Sequence, residues 1–391
     1  MGMHHRGRVI LGLSVVAALI VAALGAYAWK LRDDDRVPIL EEQVFGVRDL
    51  PDGSYSYVII DGEIRAYDID RSHALVKRIA LPDRFDVQGI RGVAADAATH
   101  RMYVSYWGET RNTGSLLAYD LHTDRVLWRR TYEPSVDSFA MTPDGQKLYV
   151  PCGEQRGDCD HWFVLDATTG EELKRIAMHE GAHNTIVSSD GRHAYLASLK
   201  HDRLAEVDTG TDRIIRWIGP FGDSIRPFTV DRAKTLVFVT VDNLSGFEIG
   251  DLRSGTKLYR VEVKGFPLRP EDYPTLPATQ THGIALTPDE REIWIVDAFY
   301  RHLHVFDITP LPDAAPRQIA DIPLVGLPKW INFTRDGRYA HVSSGEIVDA
   351  RTRRVTALVE ESRQFIQIDW ADGKTVRAYS RYGLGYGEPA G

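Results

Sequence analysis

The chain has 391 residues, of which 43% are hydrophobic and 26% charged, and its formal net charge is −8. This composition is typical of a globular protein that forms one large all-β domain or two ordinary domains. It offers no basic surface of the kind that nucleic acids require, so we expect no nucleic-acid partner. Motifs typical of serine hydrolases, zinc proteases, nucleotide hydrolases and dinucleotide-binding enzymes are absent from the sequence.

The first predicted element is an uncharged apolar run from Val9 to Trp29, which follows Arg6 and Arg8. A run of this length can span a bilayer as a helix. Positive charge before the span favours a cytoplasmic N-terminus and a C-terminal domain outside the cytoplasm, periplasmic or extracellular. The sequence therefore predicts a single-pass anchor within residues 1–32, followed by a linker over residues 33–44.

The alternative for this segment is a cleaved signal peptide. Ala26-Tyr27-Ala28 has the small-x-small pattern that signal peptidases recognise, so cleavage near Ala28 would release a secreted protein. Both interpretations predict export.

A turn with the pattern Asp-Gly then recurs along the chain. Its marker positions are 52, 98, 144, 190, 232, 289, 336 and 372, at intervals of 46, 46, 46, 42, 57, 47 and 36. A repeat of about 40–50 residues with several short strands is typical of a β-propeller. The unit over residues 183–220 fits this interpretation because it contains four β-rich segments separated by Asp or Gly turns.

The chain resembles the YVTN-type β-propeller proteins and the wider YVTN-repeat and lactonase-like group. The matching segments are Thr142–Val150, Ser188–Leu196 and Thr287–Ile295, followed by Val207-Asp208-Thr209 and Leu165-Asp166 strand ends. The resemblance covers nearly all of residues 45–385. It implies the propeller fold, which WD40-like repeats share, and it leaves function open because propellers include both enzymes and binding proteins.

Seven complete units begin near residues 45, 88, 135, 182, 224, 280 and 328, and an eighth fragment covers Phe365–Tyr382. Closing the ring hides the sheet edges that an open array would expose. We therefore predict a domain over residues 45–391 with seven blades, one of them shared by both chain ends; eight blades is the alternative. A Pro-rich insertion at residues 264–280 lengthens one connection.

Cys152 and Cys159 are the only cysteines. In an exported protein, a pair this close in sequence predicts a local disulfide.

Residues at equivalent positions of the repeat also predict a site. The residues seven positions before successive markers are Phe45, Arg91, Asp137, His183, Ile225, His282, Lys329 and Phe365. These positions start the innermost strands, so we predict a polar ligand site where they meet at the mouth of the axial channel. Arg226 replaces Ile225 if the register slips by one. Because channel-mouth side chains support little packing, we expect His183→Ala and His282→Ala to leave stability nearly unchanged.

Loops on the same face are predicted to add Trp107, Tyr300 and Arg301 to this ligand site. A divalent metal held by His183, His282 and Asp137 is a further hypothesis.

Two classes of function fit these residues. The first is an exported, membrane-anchored module that binds a small polar or anionic molecule or an envelope protein. The second is a lactonase- or lyase-type enzyme in which His183 or His282 is the general base and Arg91 or Lys329 stabilises negative charge. A third reading, an accessory to a quinone or cytochrome oxidation system, has no motif in the chain.

Overall fold

The computed structural model of the protein describes residues 50–60, 62–81, 89–107, 113–153, 159–268, 280–379 and 385–386. These residues belong to one compact unit. They form seven antiparallel sheets, six of four strands and one of six strands. The architecture is a seven-bladed β-propeller, and the described residues contain a single helical turn, Ile69–Arg71. The prediction of seven blades with almost no helix is confirmed for this part of the chain.

Blade 1 takes strands from both ends of the domain: β1 (Gly53–Ile60), β2 (Glu63–Asp68), β3 (Ala74–Ala80), β28 (Gln364–Ala371), β29 (Lys374–Tyr379) and β30 (Gly385–Tyr386). Its strand order is β3-β2-β1-β28-β29-β30. β1 and β28 pair over seven residues, from Gly53 with Trp370 to Ile59 with Gln364. The late strand β28 thus pairs with β1 in the place that the first strand of each other blade holds, and β29 and β30 follow on its other edge. This confirms the predicted closure by both chain ends.

Blades 2 to 4 follow in chain order. Blade 2 contains β4 (Ile90–Asp96), β5 (Arg101–Trp107), β6 (Gly114–Asp120) and β7 (Arg125–Tyr132). Blade 3 contains β8 (Ala140–Met141), β9 (Lys147–Pro151), β10 (His161–Asp166) and β11 (Glu172–Ala177). Blade 4 contains β12 (Ala182–Val187), β13 (His193–Ser198), β14 (Leu204–Asp208) and β15 (Arg213–Ile218).

Blades 5 to 7 complete the ring. Blade 5 contains β16 (Ile225–Val230), β17 (Leu236–Val241), β18 (Gly246–Asp251) and β19 (Thr256–Glu262). Blade 6 contains β20 (Thr281–Leu286), β21 (Glu292–Asp297), β22 (His302–Asp307) and β23 (Arg317–Pro323). Blade 7 contains β24 (Ile331–Phe333), β25 (Tyr339–Val342), β26 (Glu346–Asp349) and β27 (Arg354–Leu358).

The recurring turn has a structural cause that is the same in several blades. In blade 3 the Thr142 hydroxyl donates to Asp144 Oδ1 at 2.6 Å, and the Gln146 N–H donates to the same carboxylate at 3.1 Å. Gly145 follows with φ +70°, a conformation that glycine adopts without steric cost. The turn aspartates therefore satisfy backbone and hydroxyl donors, as the sequence predicts for such turns.

Apolar side chains from neighbouring blades pack between the sheets. Middle strands supply most of this core, for example Tyr149 and Val150 of β9 and Trp294 of β21, all without exposed surface. Burial on both faces explains why the middle strands read as near-continuous apolar runs.

None of the helices in the described ranges has the length and hydropathy needed to cross a bilayer. The segment predicted to do so, residues 9–29, lies outside the described residues, as do the linker at residues 33–44 and ring position Phe45. Most of the insertion, residues 269–279, lies outside them too.

Candidate functional site

The backbone defines equivalent ring positions more closely than the Asp-Gly markers do. Five of the inner strands end in a turn whose first residue donates its N–H to the carbonyl five residues later. These bonds are Thr142 N to Lys147 O (2.9 Å), Ser188 N to His193 O (2.8 Å), Asp231 N to Leu236 O (3.1 Å), Thr287 N to Glu292 O (3.0 Å) and Thr334 N to Tyr339 O (2.8 Å). The ring position lies five residues before the first residue of each turn, which gives Asp137, His183, Arg226, His282 and Lys329. In blades 2 and 1 the corresponding turn residues are Asp96, paired with Arg101, and Trp370, paired with Gly53. Five residues before them lie Arg91 and Phe365.

The ring residue of blade 5 is therefore Arg226, and the choice of Ile225 from the marker spacing is wrong. The turn residue there is Asp231 instead of Arg232, and β16 has a register shift between Ile225 and Phe228. The same shift occurs at Arg91 in β4, His183 in β12 and His282 in β20, so Arg226 is the equivalent residue of blade 5. With this correction, six of the seven ring positions carry ionisable side chains.

Three consecutive blades join their ring residues in one buried network. Arg91 donates from Nε to Asp137 Oδ1 at 2.8 Å, and a second guanidinium nitrogen lies 2.6 Å from the same oxygen. The other carboxylate oxygen, Oδ2, lies 3.0 Å from His183 Nδ1. Arg91 and Asp137 have no exposed surface and His183 is 1% exposed. Charges this deep are tolerated because they are paired and hydrogen-bonded.

The buried network rests on the strands that surround it. The Arg91 guanidinium stacks on Trp107 at 3.9 Å from the ring centroid, and the Trp107 indole donates to Val136 O at 2.9 Å. Gly92 makes room beneath, since a Cβ there would lie 2.7 Å from a ring carbon of Phe139. Trp107, predicted as a loop residue of the ligand site, is only 3% exposed and contacts Arg91 from within the fold.

The next ring residues meet around Trp330. His282 Nδ1 lies 2.8 Å from Lys329 O, and the His282 ring packs edge-on against Trp330 at 4.8 Å. The His183 ring lies 6.4 Å from the same indole, so Trp330 connects the buried network to the far side of the ring. Gly283 permits this approach, because a Cβ there would lie 2.6 Å from Lys329 O.

His282 is neutral near pH 7. Enclosure by surrounding atoms holds its pKa well below the usual range; the hydrogen bond to Lys329 O opposes this, and His183, Arg226 and Arg363 add to the lowering. Because a carbonyl oxygen can only accept, the Nδ1 atom carries the hydrogen and Nε2 keeps its lone pair. His282 retains some exposed surface and so presents an acceptor or a base at the ring.

Two arginine side chains, Arg226 and Arg363, lie near enough to His282 to lower its pKa. Arg226 binds Asp242 through two nitrogens, one of them at 2.9 Å from Oδ2. Arg363, in the connection that leads into β28, lies close enough to act on the pKa of His282. Arg226, Lys329 and Arg363 are all partly exposed. Two arginines, one of them paired with a carboxylate, therefore lie near a neutral imidazole. Lys329 holds the neighbouring ring position and binds the imidazole through its backbone carbonyl.

The ring is divided into two arcs. Blades 2, 3 and 4 supply the buried network of Arg91, Asp137 and His183. Blades 5, 6, 7 and 1 supply what we call the open arc: Arg226, His282, Lys329 and Arg363. The expectation that all ring side chains support little packing does not hold for the buried network, because its members are fully enclosed.

Sequence reasoning missed two members of this region, Trp330 and Arg363. Trp330 directly follows ring residue Lys329, so an aromatic beside a predicted site residue was the available signal. Arg363 lies two positions before Phe365, outside the offset that the repeat defines, and only the closure of blade 1 brings it to the ring.

The other predicted loop residues have partners away from the ring. The Tyr300 hydroxyl donates to Pro267 O at 3.2 Å, and the Tyr300 ring packs against Phe266 of the insertion. Arg301 donates to Val325 O at 3.1 Å in the connection to blade 7. These contacts give both residues a structural role in neighbouring loops.

The part of the chain that the structure describes contains no group of three or more His, Cys, Asp or Glu side chains arranged to hold a metal ion. Of the three candidate ligands, His183 and Asp137 bind each other, and His282 binds a backbone carbonyl.

Cys152 and Cys159 form the predicted disulfide, with Cα atoms 5.6 Å apart. The bridge closes the loop between β9 and β10, and both cysteines are fully buried.

No protein-family model and no curated protein sequence matches the chain. Solved structures do resemble it. A candidate 6-phosphogluconolactonase from Bacteroides uniformis ATCC 8492 superposes with a TM-score of 0.61 at 12% identity, covering 80% of this chain and 98% of the other. Hydrazine synthase of Kuenenia stuttgartiensis superposes with a TM-score of 0.55 at 15% identity, covering 76% of this chain and 96% of the other. The C-terminal WD40 domain of Sif2 superposes with a TM-score of 0.54 at 13% identity, covering 74% of this chain and 75% of the other.

At such low identities these likenesses define the fold and nothing further. The chain is a seven-bladed β-propeller similar to lactonase-like and WD40 propellers.

Proposed function

We propose that the chain is an exported, membrane-anchored β-propeller of the YVTN-repeat and lactonase-like group that binds a small hydroxylated anion at the open arc. The observation that carries this proposal is the combination, at one end of the inner strands, of three partly exposed cations with a neutral histidine. Arg226, Lys329 and Arg363 supply the charge for a carboxylate or phosphate. His282 Nε2 supplies an acceptor for a ligand hydroxyl.

The buried network holds the side chains beside the open arc in fixed positions. His183 is held by Asp137 on one side and lies next to Trp330 on the other. Trp330 in turn supports the His282 ring. A preorganised polar group binds more tightly than one that must be ordered by the ligand. The network therefore supports the ligand site without having to touch the ligand.

Lys329→Ala tests the proposal. We expect it to weaken binding of gluconate, citrate or glycerol phosphate about ten- to a hundredfold, as for the loss of one hydrogen bond to a charged group. Stability should change by about 0.5 kcal/mol or less, since the side chain is only partly buried. Isothermal titration calorimetry measures the first effect and urea unfolding the second.

Arg253→Ala is the matched control. Arg253 lies in the turn between β18 and β19, where its side chain is 75% exposed on the opposite face. We expect it to leave anion binding unchanged. Equal losses in the two variants would mean that binding follows overall charge, and saturable binding of an envelope protein without any anion would favour the protein-partner alternative.

A second candidate function, hydrolysis or elimination on a lactone or sugar acid, is favoured by the state of His282. A neutral imidazole oriented by a backbone carbonyl is suited to act as a general base. Lys329 and Arg363 would stabilise the negative charge that develops on the substrate. His282→Ala should then abolish turnover of a lactone while leaving anion binding within about tenfold; turnover that persists in this variant contradicts the enzyme proposal.

A further inference from the structure

The backbone that carries Asp137 lies outside the regular ladder of blade 3. β8 begins only at Ala140, so residues 135–139 form no strand pairs. The Asp137 N–H donates instead to Pro151 O at 2.8 Å. Pro151 ends β9 and directly precedes Cys152. The position of the Asp137 carboxylate thus depends on the carbonyl beside the first cysteine.

The second cysteine holds the backbone of His183 in the same way. Cys159 O accepts hydrogen bonds from Gly181 N at 2.8 Å and Ala182 N at 3.4 Å. These two residues lead directly into His183 at the start of β12, where the ladder has a register shift. The start of the strand is therefore anchored to the disulfide loop.

Gly153 of the disulfide loop also lies close to the residues just before Asp137. Gly153, which follows Cys152, has φ +112°. A Cβ at this position would lie 3.2 Å from the Ser135 Cβ and 3.4 Å from Val136 O. The chain after the first cysteine needs glycine both for this backbone conformation and for the close approach.

We propose that the Cys152–Cys159 disulfide is a positioning element that fixes the separation of Asp137 and His183. It links Cys159, whose carbonyl anchors the residues before His183, to Cys152, which follows the Pro151 carbonyl that anchors Asp137. The two anchored residues meet in the 3.0 Å contact. A ring this short removes little entropy from the unfolded chain, so its contribution to global stability is modest. The main effect of the bridge is local, on the geometry of the buried network.

The test is amide hydrogen exchange of the oxidised protein and of the C152A/C159A variant, with no ligand added. We expect exchange at Asp137 and Gly181 to accelerate at least about tenfold more than exchange at Gly283, whose N–H donates to Lys329 O at 2.9 Å in an uncrosslinked part of the ring. The variant should also lose the downfield proton resonance of the His183 Nδ1 to Asp137 hydrogen bond.

Three results would overturn the positioning role. Unchanged exchange at Asp137 and Gly181 would show that the bridge is dispensable for this geometry. Uniform acceleration at all three amides would show that it only stabilises the whole domain, and a variant that cannot fold would show the same. Because no ligand is involved, none of these outcomes depends on whether the open arc binds an anion.

Discussion

Replacing Asp137 by alanine is expected to lower the free energy of unfolding by about 3–5 kcal/mol, because it removes a fully buried carboxylate that is paired with the buried Arg91 guanidinium. The cation–π contact with Trp107 is too weak to compensate for this loss. The same change removes the acceptor of His183 Nδ1. Urea unfolding followed by tryptophan fluorescence measures the effect.

Glu180→Ala is the control for this experiment. Glu180 pairs with Lys200 at 2.9 Å on the same face of the propeller, with both side chains more than half exposed. We expect it to cost less than about 1 kcal/mol, as surface ion pairs generally do. If the two variants cost the same, the Arg91–Asp137–His183 network does not hold the inner strands together.

Acidification from pH 7 to pH 5 is expected to destabilise the protein by about 2 kcal/mol through the buried His73 of blade 1, and further through the buried His341 of blade 7. Burial lowers the pKa of His73 to about 4, with the charge of Arg338 adding to the effect and Asp70 opposing it. Burial also holds the pKa of His341 well below its usual range. Their rings pack 5.2 Å apart where the closing blade meets its neighbour.

The direction follows from proton uptake on unfolding. Both imidazoles stay neutral in the folded protein and become protonated in the unfolded chain once the pH falls below about 6.5. Stability is therefore fully present above that pH and is lost as the pH falls toward the folded pKa. His73→Asn keeps a residue that tolerates the φ of +56° at this position.

Comparing urea midpoints of wild-type and His73→Asn protein at pH 7 and pH 5 isolates the contribution of His73. We expect the variant to lose about 2 kcal/mol less than the wild type over this interval. Parallel losses in the two proteins would mean that His73 is already protonated in the folded state.

The fold could be predicted from the chain because its determinants are local and repeated. Each Asp-Gly turn fixes its own geometry through side-chain bonds such as Thr142 to Asp144, so the spacing of turns gives the number of blades. The shared blade followed from the need to hide both sheet edges. The offset from the turns also found Arg91, Asp137, His183, His282 and Lys329, since equivalent positions of a repeat converge on one axis.

What could not be predicted depends on contacts between blades. Asp231 serves as a turn residue although it lacks the Asp-Gly pattern, which moved the expected ring position to Ile225. The split into a buried network and an open arc arises from packing by Trp107 and Trp330, residues on different blades. Arg363 joins the ring only after the two chain ends meet in blade 1. None of these contacts leaves a periodic trace in the sequence.

The most direct test of the open arc as an anion site is a crystal structure of the protein with gluconate or glycerol phosphate bound. We expect density for the anionic group against Lys329 and Arg363, with a ligand hydroxyl within hydrogen-bond distance of His282 Nε2. Arg91, Asp137 and His183 should stay in place without contacting the ligand. Density on the face of the β18–β19 turn, or a ligand that displaces the Asp137–His183 pair, would contradict the assignment.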